Sequence, residues 1–176
     1  MADNNSFTSH FTELRSRLLN SLIFIFVIFI ISYIFAEHLY NFLVEPYSKA
    51  VRDEGGQRRL IFTALHETFI TYIKVAFFSA IFIGSPVLLI QIYKFIAPGL
   101  YKNEKQALLP YLISTPILFL FGGMLVYYLV MPLAIKFFLS FETMGSNTSL
   151  PIQLEAKVNE YLSLIMRLIF AFGISF

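Results

Sequence analysis

Between Ala107 and Ile135 the chain runs without one charged side chain, and the stretches Leu18 to Ala36 and Val75 to Tyr93 do the same. Each is about as long as, or longer than, the roughly 20 residues that a helix needs to cross a hydrocarbon core about 30 Å thick. In lipid the backbone must satisfy its own hydrogen bonds, so runs of this length are expected to be helices. A fourth run, Tyr161 to Phe176, is shorter and ends without a polar flank, which reads as a spanning helix in an unfinished chain. The expected fold is therefore all-α: a single polytopic membrane domain over 1-176, with four transmembrane helices at about 18-36, 72-94, 107-135 and 159-176.

Charge placement supports this reading. Hydrophobic residues make up 57% of the chain, above the roughly 45 to 50% of soluble domains, and the charged 14% gather between the apolar runs. The net charge of +2 is too small to point to nucleic acid as a partner. With no cysteine there is no disulfide framework and no thiolate chemistry. Arg15, Arg17, Lys94, Lys102 and Lys105 lie on short flanks, whereas the longer loops 37-68 and 136-158 carry mixed signs. The N-terminus and the hinge 95-106 are thus expected on the cytoplasmic side, with both loops external.

Between the runs, several local patterns carry expectations. Phe7, Phe11, Leu14 and Leu18 recur at helical spacing, which predicts a short interfacial helix ahead of the first span, with Ser6 or Thr8 as its cap. Glu13 and Arg15 stand two apart and do not share a helix face, which leaves Glu13 open for another partner. In the first loop Leu39, Phe42 and Leu43 mark an interfacial helix that Pro46 is expected to bend or end. DEGGQRR, Asp53 to Arg59, reads as a turn, and LIFTAL, Leu60 to Leu65, as extended chain on the membrane surface. His66 and Glu67 lack a third suitably spaced ligand for a metal and read as interfacial. Pro86 predicts a kink in the second span, while Gly122 and Gly123 allow close approach of a neighbour in the third. Tyr127 and Tyr128 fall where an aromatic belt is expected, and Gly145, Ser146 and Asn147 read as a turn. Arg167 lies inside the fourth run, where a cation costs on the order of 3 kcal/mol unless it reaches a surface or finds a partner.

The segment Ile92 to Gln106, IYKFIAPGLYKNEKQ, is a polar hinge broken by Pro98 and Gly99 that would set the second and third spans side by side. It places Glu104 near the membrane surface. A carboxylate there could hold a guanidinium by two charge-assisted hydrogen bonds that lysine cannot reproduce. It could equally be an acid in the first turn of a helix, favoured by the dipole.

Five segments then resemble, in order, the motifs of the TatC family, the polytopic subunit of the twin-arginine protein translocase. They are HFTELRSRLLN (His10 to Asn20), ETFITYIKVAFF (Glu67 to Phe78), SPVLLIQIYKFIAPGLYKNEK (Ser85 to Lys105), YYLVMPLAIKFF (Tyr127 to Phe138) and YLSLIMRLIFAFGISF (Tyr161 to Phe176). The resemblance implies a receptor for twin-arginine signal peptides in the cell inner membrane, working with TatA-like and TatB-like single-span proteins and self-associating in the bilayer. It leaves bacterial and organellar membranes both open. The family positions fall here on Glu13, Arg15, Arg17, Phe95, Pro98, Leu100, Tyr101 and Glu104 for signal-peptide binding, and on Pro46 and Gln91 for transport. Arg167 is grouped with the transport-related residues as a polar group inside a span. The family has six spans and an intramembrane glutamate directly after the Gly-x-x-Phe motif, where this sequence stops at Phe176.

Two other function classes find little support in the sequence. An intramembrane enzyme would need a nucleophile or metal motif, and neither GxSxG nor HExxH occurs. A self-contained channel or carrier would need polar residues converging at mid-membrane, and the first and third runs are nearly bare of them. No catalytic residue, cofactor or metal ligand is assigned.

Overall fold

The computed structural model describes residues 3–53, 59–142 and 154–176. Six α-helices follow one another: α1 Asp3–Ile34, α2 Ala36–Asp53, α3 Glu67–Ile96, α4 Lys102–Leu125, α5 Met131–Leu139 and α6 Val158–Ser175. A 3₁₀ turn, Ala97–Gly99, ends α3, and a π-helical turn, Val126–Val130, joins α4 to α5. Among the described residues, four helical stretches are long and apolar enough to cross a membrane: Thr12–Ile34, Glu67–Gly99, Asn103–Leu139 and Val158–Ser175. The turns expected at Asp53 to Arg59 and at Gly145 to Asn147 lie mostly or wholly outside the described residues.

The separate interfacial helix expected before the first span is absent, because α1 is one continuous helix from Asp3 and contains both Ser6 and Thr8. No Gly or Pro interrupts the sequence there, so the polar start and the apolar run propagate as a single element. α1 packs antiparallel on α3: Phe29 meets Phe77 with ring centroids 6.4 Å apart, and Ile25 touches the surface of Gly84 at 3.3 Å. The N-terminal end of α1 and the C-terminal end of α3 therefore share one end of the bundle, the hinge end.

Pro46 neither bends the chain out of α2 nor ends it; the helix continues to Asp53. A proline lacks the N–H that would bond the carbonyl four residues earlier, here that of Phe42. The Tyr127 hydroxyl supplies that bond instead, at 2.8 Å, and the Tyr161 hydroxyl donates to the neighbouring Leu43 carbonyl at 3.1 Å. Tyr127 also stacks on Phe42, with centroids 4.5 Å apart and planes 5° from parallel. It is thus a buried clamp on α2 and not the belt residue expected, whereas Tyr128 is exposed. The clamp depends on the π turn, in which the Met131 N–H reaches back to the Val126 carbonyl just ahead of Pro132.

α3 runs as helix through Pro86, and the carbonyl that Pro86 orphans, that of Phe82, accepts the Ser85 hydroxyl at 2.8 Å. Phe82, Phe119 and Phe170 pack where α3, α4 and α6 meet, with ring centroids 4.8 Å apart for the first pair and 6.1 Å for the second. Beside them a Cβ on Gly122 would stand 2.8 Å from the Gly173 Cα, so the backbones of α4 and α6 touch at this crossing.

Most of the buried core lies away from the hinge, among Leu43, Tyr47, Ala50 and Val51 of α2, Met131, Ile135 and Leu139 of α5, and Leu162, Ile165 and Ile169 of α6. There LIFTAL, read as extended chain on the membrane surface, is non-helical over Leu60 to Thr63 and turns at Ala64 and Leu65 into α3. Ile61 forms a single parallel bridge with Lys157, through Ile61 N–H to Ala156 O (3.1 Å) and Val158 N–H to Ile61 O (2.9 Å). Glu67, read as interfacial, is buried, and its Oε2 accepts the Thr63 N–H (2.8 Å), the Thr63 hydroxyl (3.3 Å) and the Ala64 N–H (3.3 Å). The Lys74 ammonium donates to the Asn159 side chain at 2.8 Å, tying α3 to α6. This far end is a clasp. At the hinge end, Leu109, Tyr111, Ile113 and Ile117 of α4 are all exposed, and among the described residues no comparable set of hydrogen bonds ties that half of the helix to α1.

Candidate functional site

Glu13 is not left open. It is four residues from Arg17 on the same helix face, and its Oε1 accepts Arg17 Nη2 at 2.6 Å and Nε at 3.0 Å. Arg15 is exposed and, two residues on, points away from that face. Glu13 and Arg17 line an open trough of about 810 Å³ together with Thr12, Ser16 and Asn20 of α1 and Gln91 and Lys94 of α3. Antiparallel packing of α1 on α3 brings these together, since each apolar run ends in polar residues at the same level. Gln91, separated from Glu13 by the whole of two spans, thereby joins the same surface.

The hinge follows directly. Phe95 is half-buried near the end of α3, Pro98 is exposed within the 3₁₀ turn, and Leu100 adopts an extended conformation that re-aims the chain into α4. Tyr101, four-fifths exposed, is the residue before α4. Glu104 occupies the first turn of α4, exposed, and one oxygen accepts the Tyr101 N–H at 3.0 Å. Glu104 thus caps its own helix, and its carboxylate faces solvent. The hinge end thus gathers Glu13, Arg17 and Gln91 in the trough, with Phe95, Pro98, Leu100, Tyr101 and Glu104 in the turn that follows.

Pro46 and Arg167 are not part of that surface. Pro46 lies in α2 on the clasp. Arg167 sits on the exposed face of α6, and Glu160, two turns nearer the helix start, faces Lys157 at 3.8 Å instead. Two residues that the sequence suggested only as interfacial and belt positions hold the clasp: Glu67, whose local Thr-x-x-x-Glu spacing is a usable signal, and Tyr127, whose partner on α2 is not readable there. Beside Tyr127 an apolar recess of about 280 Å³ is lined by Phe42, Phe78, Phe82, Leu120, Gly123 and other residues. Among the described residues no group of three or more His, Asp and Glu is placed to hold a metal.

Four apolar helices whose acids lie in their end turns, with an exposed polar surface at a hinge, define a polytopic helical membrane protein. Comparison with known proteins narrows this. The family described as "TatC: Sec-independent protein translocase protein (TatC)" matches residues 9–176, and the chain belongs to that family. It is 48% identical over 167 residues to the Sec-independent protein translocase protein TatC of Magnetococcus marinus, covering 95% of this chain and 58% of the relative. The TatC of Rickettsia prowazekii is 44% identical, with 97% of this chain and 66% of the relative covered, and that of Escherichia coli K12 is 36% identical, with 99% and 64% covered. A crystal structure described as the twin arginine translocase receptor TatC superposes with a TM-score of 0.75 at 34% identity, covering 94% of this chain and 69% of that one. The chain therefore spans roughly three fifths of the length of these curated relatives.

Proposed function

We propose that this chain is the signal-peptide receptor part of a twin-arginine translocation system, lying in the cell inner membrane with its N-terminus and hinge on the cytoplasmic side. It would bind twin-arginine signal peptides of folded cargo at the hinge end and work with TatA-like and TatB-like single-span proteins and with further copies of itself. The observation that carries this is the exposed Glu104 carboxylate in the hinge, at the same end as the trough that holds Glu13. The two acids differ in readiness. Glu104 offers a free face, whereas Glu13 is occupied by Arg17, so an incoming guanidinium would have to displace Arg17 to reach it. The order implied is capture at Glu104 first and exchange at Glu13 second. Bidentate geometry explains why arginine and not lysine would be read.

The test is capture of a twin-arginine peptide by the full polypeptide in membranes. Glu104→Gln is the informative variant, because its amide oxygen can still accept the Tyr101 N–H while the charge is gone. Capture should fall by roughly tenfold, equivalent to about 1.4 kcal/mol, and replacing both peptide arginines by lysine should cost a similar factor. Capture indifferent to both changes would remove the receptor assignment from this surface.

A further inference from the structure

The apolar recess of about 280 Å³ beside the Tyr127 clamp has walls from four helices: Phe42 of α2, Phe78 and Phe82 of α3, Leu120 and Met124 of α4, and Ile169 of α6. Phe42, Leu120, Met124 and Tyr128 are exposed at its mouth. From Leu120 to Tyr128 the lining runs about 12 Å along the third span, which leaves the recess a mean cross-section of roughly 23 Å². A helix, at least about 10 Å across, needs roughly 80 Å². One hydrocarbon chain in van der Waals contact with neighbours a little over 4 Å away takes up roughly 20 Å². The recess thus has the bore of a single acyl chain. Its rim is charged. Phe42, Glu45 and Lys49 recur three and four apart on one face of α2, so the wall of the recess continues into an acid and a base. Glu45 Oε1 holds the Lys49 ammonium at 2.7 Å, and its Oε2 lies 3.2 Å from the Tyr127 hydroxyl. The hydrogen-bonded Glu45 carboxylate raises the Lys49 pKa above its ordinary value, and the Tyr128 hydroxyl, near enough to act on the ammonium, adds in the same direction. Both charged side chains are exposed. An ammonium has three protons and a carboxylate about four lone-pair sites, so each can take a further partner.

We propose that the recess and its rim bind one phospholipid with a primary-amine headgroup, of the phosphatidylethanolamine class. One acyl chain fills the recess, the phosphate accepts from the Lys49 ammonium and the Tyr128 hydroxyl, and the headgroup amine donates to Glu45. Level fits this occupant, because the rim lies toward the far end of the third span, where headgroups begin, and the recess runs from it along the span. Charge selects the headgroup. An anionic lipid loses at Glu45 what it gains at Lys49, whereas a zwitterion meets the opposite charge at both positions. Choline has no N–H to donate to Glu45, and an ethanolamine ammonium has three. The site belongs to the clasp end and is independent of the signal-peptide surface.

The experiment places the full polypeptide in phosphatidylcholine nanodiscs with a small share of phosphatidylethanolamine, phosphatidylcholine or phosphatidylglycerol that carries a photoreactive group on one acyl chain, and maps the labelled residues by mass spectrometry. The ethanolamine probe should label Phe42, Leu120 and Met124 about tenfold more than either other probe. Leu120→Trp, which fills the recess from an exposed position, should abolish that labelling. Glu45→Gln removes the acid that repels an anionic headgroup and leaves Lys49 in place, so it should reverse the order and put phosphatidylglycerol first. Equal labelling by the three probes, labelling spread evenly along the spans, or an order unchanged by Glu45→Gln would overturn the proposal. So would an absence of label at the recess, the result expected if a protein segment fills it, and a preference for the choline probe, which would make the rings of Phe42, Tyr127 and Tyr128 the selecting groups. Twin-arginine peptide capture should be unchanged by Leu120→Trp, so failure here and failure of the receptor reading are separable.

Discussion

Pro46 shows how one residue can make sense only through another distant in sequence. The carbonyl it orphans is satisfied by a hydroxyl 85 residues away. Tyr127→Phe should therefore destabilise the protein by about 1–3 kcal/mol, the usual cost of an unpaired buried polar group. In a Pro46→Ala background, where the helical N–H returns, the same change should cost at least about 0.5 kcal/mol less. Denaturant unfolding in detergent of the four variants measures this directly, and strict additivity would refute the pairing. Glu45 adds a pH arm. Its Oε2 is 3.2 Å from the Tyr127 hydroxyl, and the hydrogen-bonded Lys49 ammonium holds its carboxyl below the ordinary value. A depressed pKa means stability present above the ordinary value of 4.5 and lost as pH falls through the folded one. The melting temperature of wild type should exceed that of Glu45→Gln at pH 7, and the difference should close at pH 3. Pro46 was singled out in the sequence, but its role was illegible there, since no local pattern names Tyr127. The Glu13 to Arg17 pair is legible from i, i+4 spacing alone, whereas Arg15, two residues from Glu13, draws attention to the wrong face.

At the level of elements, uncharged length was sufficient to read four spans, because lipid leaves helix as the way to satisfy that much backbone. The boundaries were less legible. Amphipathic periodicity over Phe7 to Leu18 correctly indicated helix, yet nothing in it distinguishes a separate helix from an extension of the next one. Likewise Pro132 did not announce the π turn that Val126–Val130 forms. The glycine pair was readable as a contact, though its partner was not. Gly122→Val places a Cβ against the backbone of Gly173 and Phe172, neither of which can yield as a flexible side chain would. It should force α4 and α6 apart and cost about 1–3 kcal/mol, with Gly122→Ala costing less. A Gly122→Val protein as stable as wild type in detergent unfolding would show that the crossing does not matter.

For the whole molecule, stability is unevenly placed. Ile61, Glu67, Lys74, Asn159 and the α2 clamp bind one end with hydrogen bonds and buried apolar surface, while the hinge has the Glu104 cap and little else described around it. Hydrogen exchange in nanodiscs should reflect this: amides from 100 to 106 should exchange roughly tenfold faster than those from 61 to 67. Equal protection at the two ends would contradict the asymmetry. This gradient was not readable from the sequence, since both ends are polar connections flanked by similar apolar runs, and only the long-range pairings tell them apart.

The clasp has a mechanical consequence. Load on the hinge meets the Glu104 cap first, whereas the buried apolar cluster that joins α2, α5 and α6 lies at the opposite end. Local opening of the hinge segment therefore leaves the packed far end in place.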